Sequence, residues 1–363
     1  MAGKNISGTQ RRGFLDHDMF LDAEQRIYFV LGHYQPPDRV ISVLKYVPDP
    51  RGTWIRAPSG LIYARTYWHQ GIEAIEASDA AVKATADPTF DEWTIIDPVF
   101  SAPFLEVPVP AIDTRLLPEE RLTSILGTPE EGLDAVEMRV RLVVQTILDN
   151  FGMSTIQLRD VGITGSILWK GHSDRSDINL NVYGLSVCHK LNEILLERAA
   201  VEPDLGPGLQ VRAKDFSDVD LITVAPDLPA SILARKPKLV FDGFSPGIQI
   251  RWCLRAGEFP IAYDTERYTE SGVATVKVRI VSDRFGLFLP AILAVETIEG
   301  TPAIDRIMIY DTRLVRLFRT GDVVQITGLV QEINDSGVFQ LLLGSRDHAG
   351  EESVRFLDAI DRE

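Results

Sequence analysis

Gly165-Ser166 stands nine residues ahead of Ser176-Asp177-Ile178-Asn179-Leu180. Residues of these types at this spacing can handle phosphate. A glycine-serine turn opening a helix offers an anion its backbone N–H groups, a hydroxyl and the positive end of the helix dipole. Gly165 has no Cβ, so a phosphate can approach the backbone there. Two carboxylates at alternate strand positions share one face and can hold a hard cation between them. The first of these positions is Asp177; the second is Asn179, whose amide oxygen can coordinate but carries no charge. Sites that hold triphosphate-bound Mg²⁺ rely on that charge. The spacing therefore describes a phosphate cradle beside a weakened metal site.

The elements that must position these residues are legible around them. Leu158–Ile163 reads as a strand entering the Gly-Ser turn, and Asp177–Tyr183 as the strand that follows. A helix is expected over Pro129–Asn150, with Thr128-Pro129-Glu130-Glu131 as its capping box and Leu133, Val136, Val140, Val143, Val144 and Ile147 on its buried face. Another is expected from Gly184 to about Ala200. Short aromatic and β-branched runs, Ile27–Leu31, Val40–Tyr46 and Leu61–Trp68, predict an N-terminal β-rich domain, followed by a weaker helix over Gly71–Thr85. The proline-punctuated stretch Pro98–Pro118 reads as an extended connection. From residue 241 onward the strand pattern returns and ends in a hairpin, Gly321–Ile333 and Val338–Gly344, which reads either as part of a small OB-like barrel or as an unspecialised β-domain closing the structure.

The Gly-Ser, gap, Ser-Asp-x-Asn-Leu string resembles the signature of the polymerase-β-like nucleotidyltransferase superfamily, in which a Gly-Ser turn precedes Asp-x-Asp on a strand. The longer wording, Gly-Ile-Thr-Gly-Ser-Ile-Leu through Asn-Val-Tyr-Gly, is similar to an uncharacterised archaeal family of predicted nucleotidyltransferases, as is the run Val40–Pro48. The resemblance implies an α+β fold with a central polymerase-β-like mixed α/β core between N-terminal and C-terminal β-rich domains. The implied boundaries are a tail over 1–13, then 14–115, 116–240 and 241–363, with the first strand of the last part available to complete the core sheet. It implies Gly165 and Ser166 as the phosphate pair, and Asp177 with Asn179 at the metal and catalytic positions. The third acid falls on Asp220, in Val-Asp-Leu-Ile-Thr-Val, or else its place is taken by Gln249, in Ile-Gln-Ile-Arg. Lys170 and Arg175 flank the turn and can neutralise phosphate or simply be solvated. The implied cofactors are an NTP and Mg²⁺, the latter bound weakly or not at all. Two readings follow: a catalytically degenerate scaffold binding a nucleotide or RNA, or an active Mg²⁺-dependent enzyme moving an NMP to an RNA, protein or other acceptor.

Composition bounds the alternatives. The 363 residues carry a net charge of −15, with 45% hydrophobic and 25% charged residues. So acidic a chain does not present a broad basic surface to duplex DNA. No apolar run reaches the ~18–20 residues of a membrane span, and two cysteines in apolar-periodic segments read as buried free thiols in a cytoplasmic protein. His17 between Asp16 and Asp18 imitates a metal dyad, but no second histidine cluster accompanies it, and a solvated turn is the better reading. Arg235-Lys236-Pro237-Lys238 reads as an exposed linker or an RNA-facing groove.

Overall fold

The computed structural model describes residues 12–65, 92–152, 155–213, 224–242, 244–345, 348 and 350–358. Eight strands make the first sheet: β1 (Met19–Asp22), β2 (Ile27–Val30), β3 (Arg39–Pro48), β4 (Trp54–Arg56), β5 (Leu61–Arg65), β6 (Thr94–Ile96), β7 (Pro103–Pro108) and β8 (Ile112–Leu116). Their order is β4-β5-β3-β2-β1-β8, with β7 also on β3 and β6 on β7. One face carries Phe20, Tyr28, Val30, Val40, Leu44 and Val107; the other carries Met19, Leu21, Ile27, Tyr46 and Tyr63. This alternation is what a sheet buried on both sides requires.

The second sheet follows two helices, α1 (Pro118–Gly127) and α2 (Ala135–Phe151). It contains β9 (Val161–Thr164), β10 (Ile178–Tyr183), β11 (Asp204–Gly206), β12 (Leu209–Arg212), β13 (Lys238–Phe241) and β14 (Phe244–Cys253), with α3 (Leu185–Val201) and the short α4 (Ala230–Leu233) between them. The order is β11-β12-β13-β14-β10-β9, in which β10 runs parallel to β14 and antiparallel to β9. Leu180, Val182, Ile248 and Trp252 share a core with Val140, Val143, Val144 and Ile147 of α2 and with Leu191 and Leu195 of α3. The helices therefore cover one face of this sheet. Asn179, Asn181, Gln249 and Arg251, at the alternate positions, point to the other.

The third sheet comprises β15 (Tyr268–Phe285), β16 (Ala291–Glu299), β17 (Arg306–Ile309), β18 (Val323–Ile333), β19 (Val338–Leu343) and β20 (Ser353–Asp358). It runs β15-β16-β17-β19-β18-β20, and β18 also pairs with β15, so five strands close on themselves. Val278, Ile280, Leu293, Ile307, Val324 and Leu341 fill its interior.

The expected α+β architecture, a central polymerase-β-like α/β core between two β-rich flanks, is overturned. Among the described residues twenty strands stand against four α-helices, and they build three large sheets. The reason is local: segments expected to be connections are strands. Pro103–Pro108 and Ile112–Leu116, inside the proline-punctuated stretch, pair with β3 and β1. Their prolines stand at a strand end or between strands, where a missing N–H costs no ladder bond. The helix expected from Pro129 begins instead at Ala135. Its N-cap is Asp134, whose carboxylate accepts from Val136 N and Glu137 N, and Glu137 completes the capping box. The helix expected over Gly71–Thr85 lies outside the described residues.

Candidate functional site

The Gly-Ser turn is held between the first and second sheets. β9 ends at Thr164, whose hydroxyl donates to His17 O at 2.8 Å, and Gly165–Ile167 forms a single 3-10 turn. Gly165 has φ +70°, where an L side chain is strained, and a Cβ built there would lie 3.1 Å from Asn179 Nδ2. Immediately after the turn, Leu168 and Trp169 dock onto the first sheet. The Trp169 ring centroid is 4.8 Å from that of Tyr46 and 5.1 Å from that of Tyr63. Ala57 N adds a bond to Lys170 O at 2.9 Å. The anchor for the turn is thus aromatic packing from β3 and β5.

Behind the turn three polar residues line up across three strands. Thr164 pairs with Asn179, and Asn179 pairs with Gln249. Asp177 lies just before β10 and is half-buried; Asn179 is buried and Gln249 exposed. The two positions able to carry acids beside Asp177 therefore hold amides side by side. Of the alternatives for the third acid, Gln249 is beside Asn179, while Asp220 falls outside the described residues. Ser166 Oγ, Arg251 Nε and Asn181 Oδ1 are buried without a hydrogen-bond partner among the described residues.

Two cations in this seam, Lys45 and Arg251, feel the charge of Asp177, and Arg65 lies close to Lys45. None was singled out from sequence. Arg251 lies two residues beyond Gln249 on the same face, and its guanidinium donates to Gln249 Oε1 at 2.7 Å. Arg65 is opposite Tyr46 across β3 and β5 and so shares its side of the first sheet. Lys45 arrives by a β-bulge. The β2–β3 register steps from Ile27↔Tyr46 to Tyr28↔Leu44, leaving Lys45 as the extra residue. Its ammonium sits 5.1 Å from the Phe29 ring centroid, and no hydrogen bond or ion pair holds it among the described residues. Burial, then repulsion from Arg65 and Arg251, outweighs the attraction of Asp177 and lowers the Lys45 ammonium to about 7. Burial also lowers Arg251, against the pull of Asp16 and Asp177.

This donor set does not fit a divalent cation. Asp177 with two neutral amides, beside the Arg251 guanidinium, offers Mg²⁺ too few charged oxygen ligands. A guanidinium suits an anion better.

The remaining expected residues, Lys170 and Arg175, are exposed at the margin. His172, between them, turns toward the helix cap, with Nε2 2.7 Å from Asp134 Oδ2. The basic string after α4 is structural: Arg235 pairs with Asp322, and Lys236 Nζ donates to Thr312 O and Arg313 O at 3.2 and 2.6 Å. Asp16, His33 and Cys253 also bring metal-type ligand atoms within 4.8 Å of one another. There, however, His33 Nε2 accepts from Leu254 N at 3.0 Å, Asp16 Oδ1 accepts from Gly32 N at 2.7 Å, and the Cys253 thiol bonds to Asp16 O at 3.4 Å. Those donors and acceptors are already engaged.

Among the described residues no helix is long and apolar enough to cross a membrane. Comparison with known proteins finds no match for this chain among protein-family models, curated proteins or solved structures.

Proposed function

We propose that this protein binds a nucleotide or another phosphate-rich ligand at the Gly165-Ser166 turn and does not transfer a nucleotidyl group. The observation that carries this reading is the register Asn179↔Gln249 beside Asp177. Nucleotidyl transfer requires divalent ions bridging the phosphates and the attacking oxygen. A cluster with one carboxylate and two amides lacks the charge to recruit them. What supports the binding half of such chemistry is a glycine at positive φ, a buried serine hydroxyl without a partner among the described residues, and the Arg251 guanidinium on the sheet face of Asn179 and Gln249. The reading rests on these side chains and on the Gly-Ser/Asp-x-Asn spacing, independently of fold.

The test is incubation of the pure protein with labelled NTPs, Mg²⁺ or Mn²⁺ and RNA or protein acceptors. Retention of nucleotide without NMP incorporation is expected. Incorporation by the native chain that disappears in Asp177→Ala would overturn the reading in favour of an active Mg²⁺-dependent enzyme that draws on Asp177 with Asn179.

A further inference from the structure

We infer that His33 is an acid-sensing joint, whose protonation loosens the first sheet where it meets the other two. The residue stands at the junction of all three sheets. It lies in the loop between β2 and β3, and its backbone N–H donates to Leu289 O at 2.8 Å, in the β15–β16 turn of the third sheet. Its ring packs edge-on to Phe288 of the same turn, with centroids 6.2 Å apart. Its Nε2 accepts the N–H of Leu254, just beyond β14 of the second sheet, at 3.0 Å. Gly32 lets the loop come this close, since a Cβ built there would lie 2.9 Å from Leu289 O.

The bond from Leu254 sets the protonation state. A ring nitrogen accepts only through a free lone pair, so Nε2 is bare and the neutral ring carries its proton on Nδ1. In the imidazolium both nitrogens donate. Nε2–H would then oppose the Leu254 N–H, and the ring would have to leave the end of β14. Asp16, His17 and Asp18 face the ring from the N-terminal segment, Cys253 from β14 and Glu258 from the loop after it. His189 of α3 meets the same Phe288 ring. The acids are committed to other partners. Asp16 accepts from Gly32 N and pairs with His17, Asp18 pairs with Arg12 and Arg115, and Glu258 accepts from Leu185 N and Arg255 N. Burial, aided by His17, prevails over their pull and keeps His33 below its ordinary 6.5. The unfolded chain therefore takes up the proton first. The joint's contribution is complete above about pH 6.5 and is lost as pH falls through the lower folded value. A run of polar contacts leads from the joint to the Gly-Ser turn: Gly32 N to Asp16, Asp16 to His17, and the Thr164 hydroxyl to His17 O.

Amide hydrogen exchange at pH 7.5 and pH 5.0, read by mass spectrometry and corrected for intrinsic rates, tests the joint. Segments 31–35, 254–258 and 286–290 should lose protection at pH 5.0 by roughly tenfold or more, the factor for a hydrogen bond lost with its donor left unpaired. Segment 140–147 of α2, in the core of the second sheet, should keep its protection. His33→Gln offers a neutral acceptor that does not titrate, and should remove the difference between the two pH values. Junction segments equally protected at both pH values would overturn the inference, as would a response that survives in His33→Gln. Long-range ¹⁵N–¹H correlation spectra of the native protein give a reading that needs no variant. They should show His33 Nε2 unprotonated at pH 7.5, with a midpoint below 6.5. A bare Nδ1, or a midpoint at or above 6.5, would overturn the inference.

Discussion

Replacing Lys45 by Met should stabilise the fold at neutral and mildly acidic pH. The substitution keeps the apolar stem and removes the ammonium that burial and two guanidinium groups oppose. The folded group titrates at about 7, against 10.5 for the ordinary lysine. Between those values the unfolded chain binds the proton more readily, so stability rises with pH across that interval, and the full penalty is present below about pH 7. At ~1.4 kcal/mol per pH unit the interval sets a ceiling of about 5 kcal/mol. Lys45 is only half-buried, and solvent screening brings the expected penalty to roughly 1–2 kcal/mol. Differential scanning calorimetry of native protein and Lys45→Met at pH 6 and pH 10 reads the effect. The variant should melt higher at pH 6 by roughly 2–6 °C, given the usual scaling for a chain of this size, and the difference should shrink at pH 10, near the ordinary lysine value of 10.5. A variant that melts lower at pH 6 would show that a compensating partner holds the Lys45 ammonium, and the reasoning from its burial would fail.

Other consequences can be read independently. Gly165→Ala should destabilise the protein by about 1–2 kcal/mol in denaturant titrations, since it places an L side chain at φ +70° and presses on Asn179; it should also weaken anion binding. Glu106 is pushed up to about 8 by burial and by its hydrogen bond to and repulsion from Asp97. Its folded state therefore holds a proton that the unfolded chain releases near 4.5, and stability should fall as pH rises from 4.5 through 8. Glu106→Gln should flatten that slope in melts between pH 5 and 8.5. Cys188 and Cys253 are fully buried and free, and burial raises both thiols. Ellman's reagent should react with neither in the native protein and with both after denaturation, and rapid native-state reaction would contradict the buried placement.

How much of this was legible in the sequence depends on the distance over which each feature is encoded. The strand, Gly-Ser turn and second strand from Val161 to Tyr183 are local, and glycine at the turn together with the Ile-x-Leu-x-Val alternation announces them. Helix α1 had its own signal, Pro118 at the first helical position followed by Glu119 and Glu120. The extended connection expected over Pro98–Pro118 ends where this helix begins, and no element was expected over 119–127. The start of α2 was displaced because Thr128-Pro129-Glu130-Glu131 and Asp134–Glu137 both have capping form, and only packing decides between them. The partner strand of β10 could not be fixed by pattern: Ile248-Gln249-Ile250-Arg251 and the segment around Asp220 look alike, and strand order is a tertiary property. Least visible were Lys45, Arg65 and Arg251. They lie 20 to more than 200 residues apart, and a one-residue bulge aims the first of them. The dominance of sheet over helix arose in the same way, from strands too short to show a period.

The central claim is that this seam binds phosphate anions and performs no transfer. Doubly labelled ATP titrated into the native protein with Mg²⁺ present, and again in EDTA, can be read in the same tube as bound nucleotide and as released pyrophosphate. The account predicts that bound nucleotide saturates while pyrophosphate stays at the level of the protein-free blank. Pyrophosphate release that depends on Mg²⁺ and Asp177, or nucleotide that never binds, would contradict it.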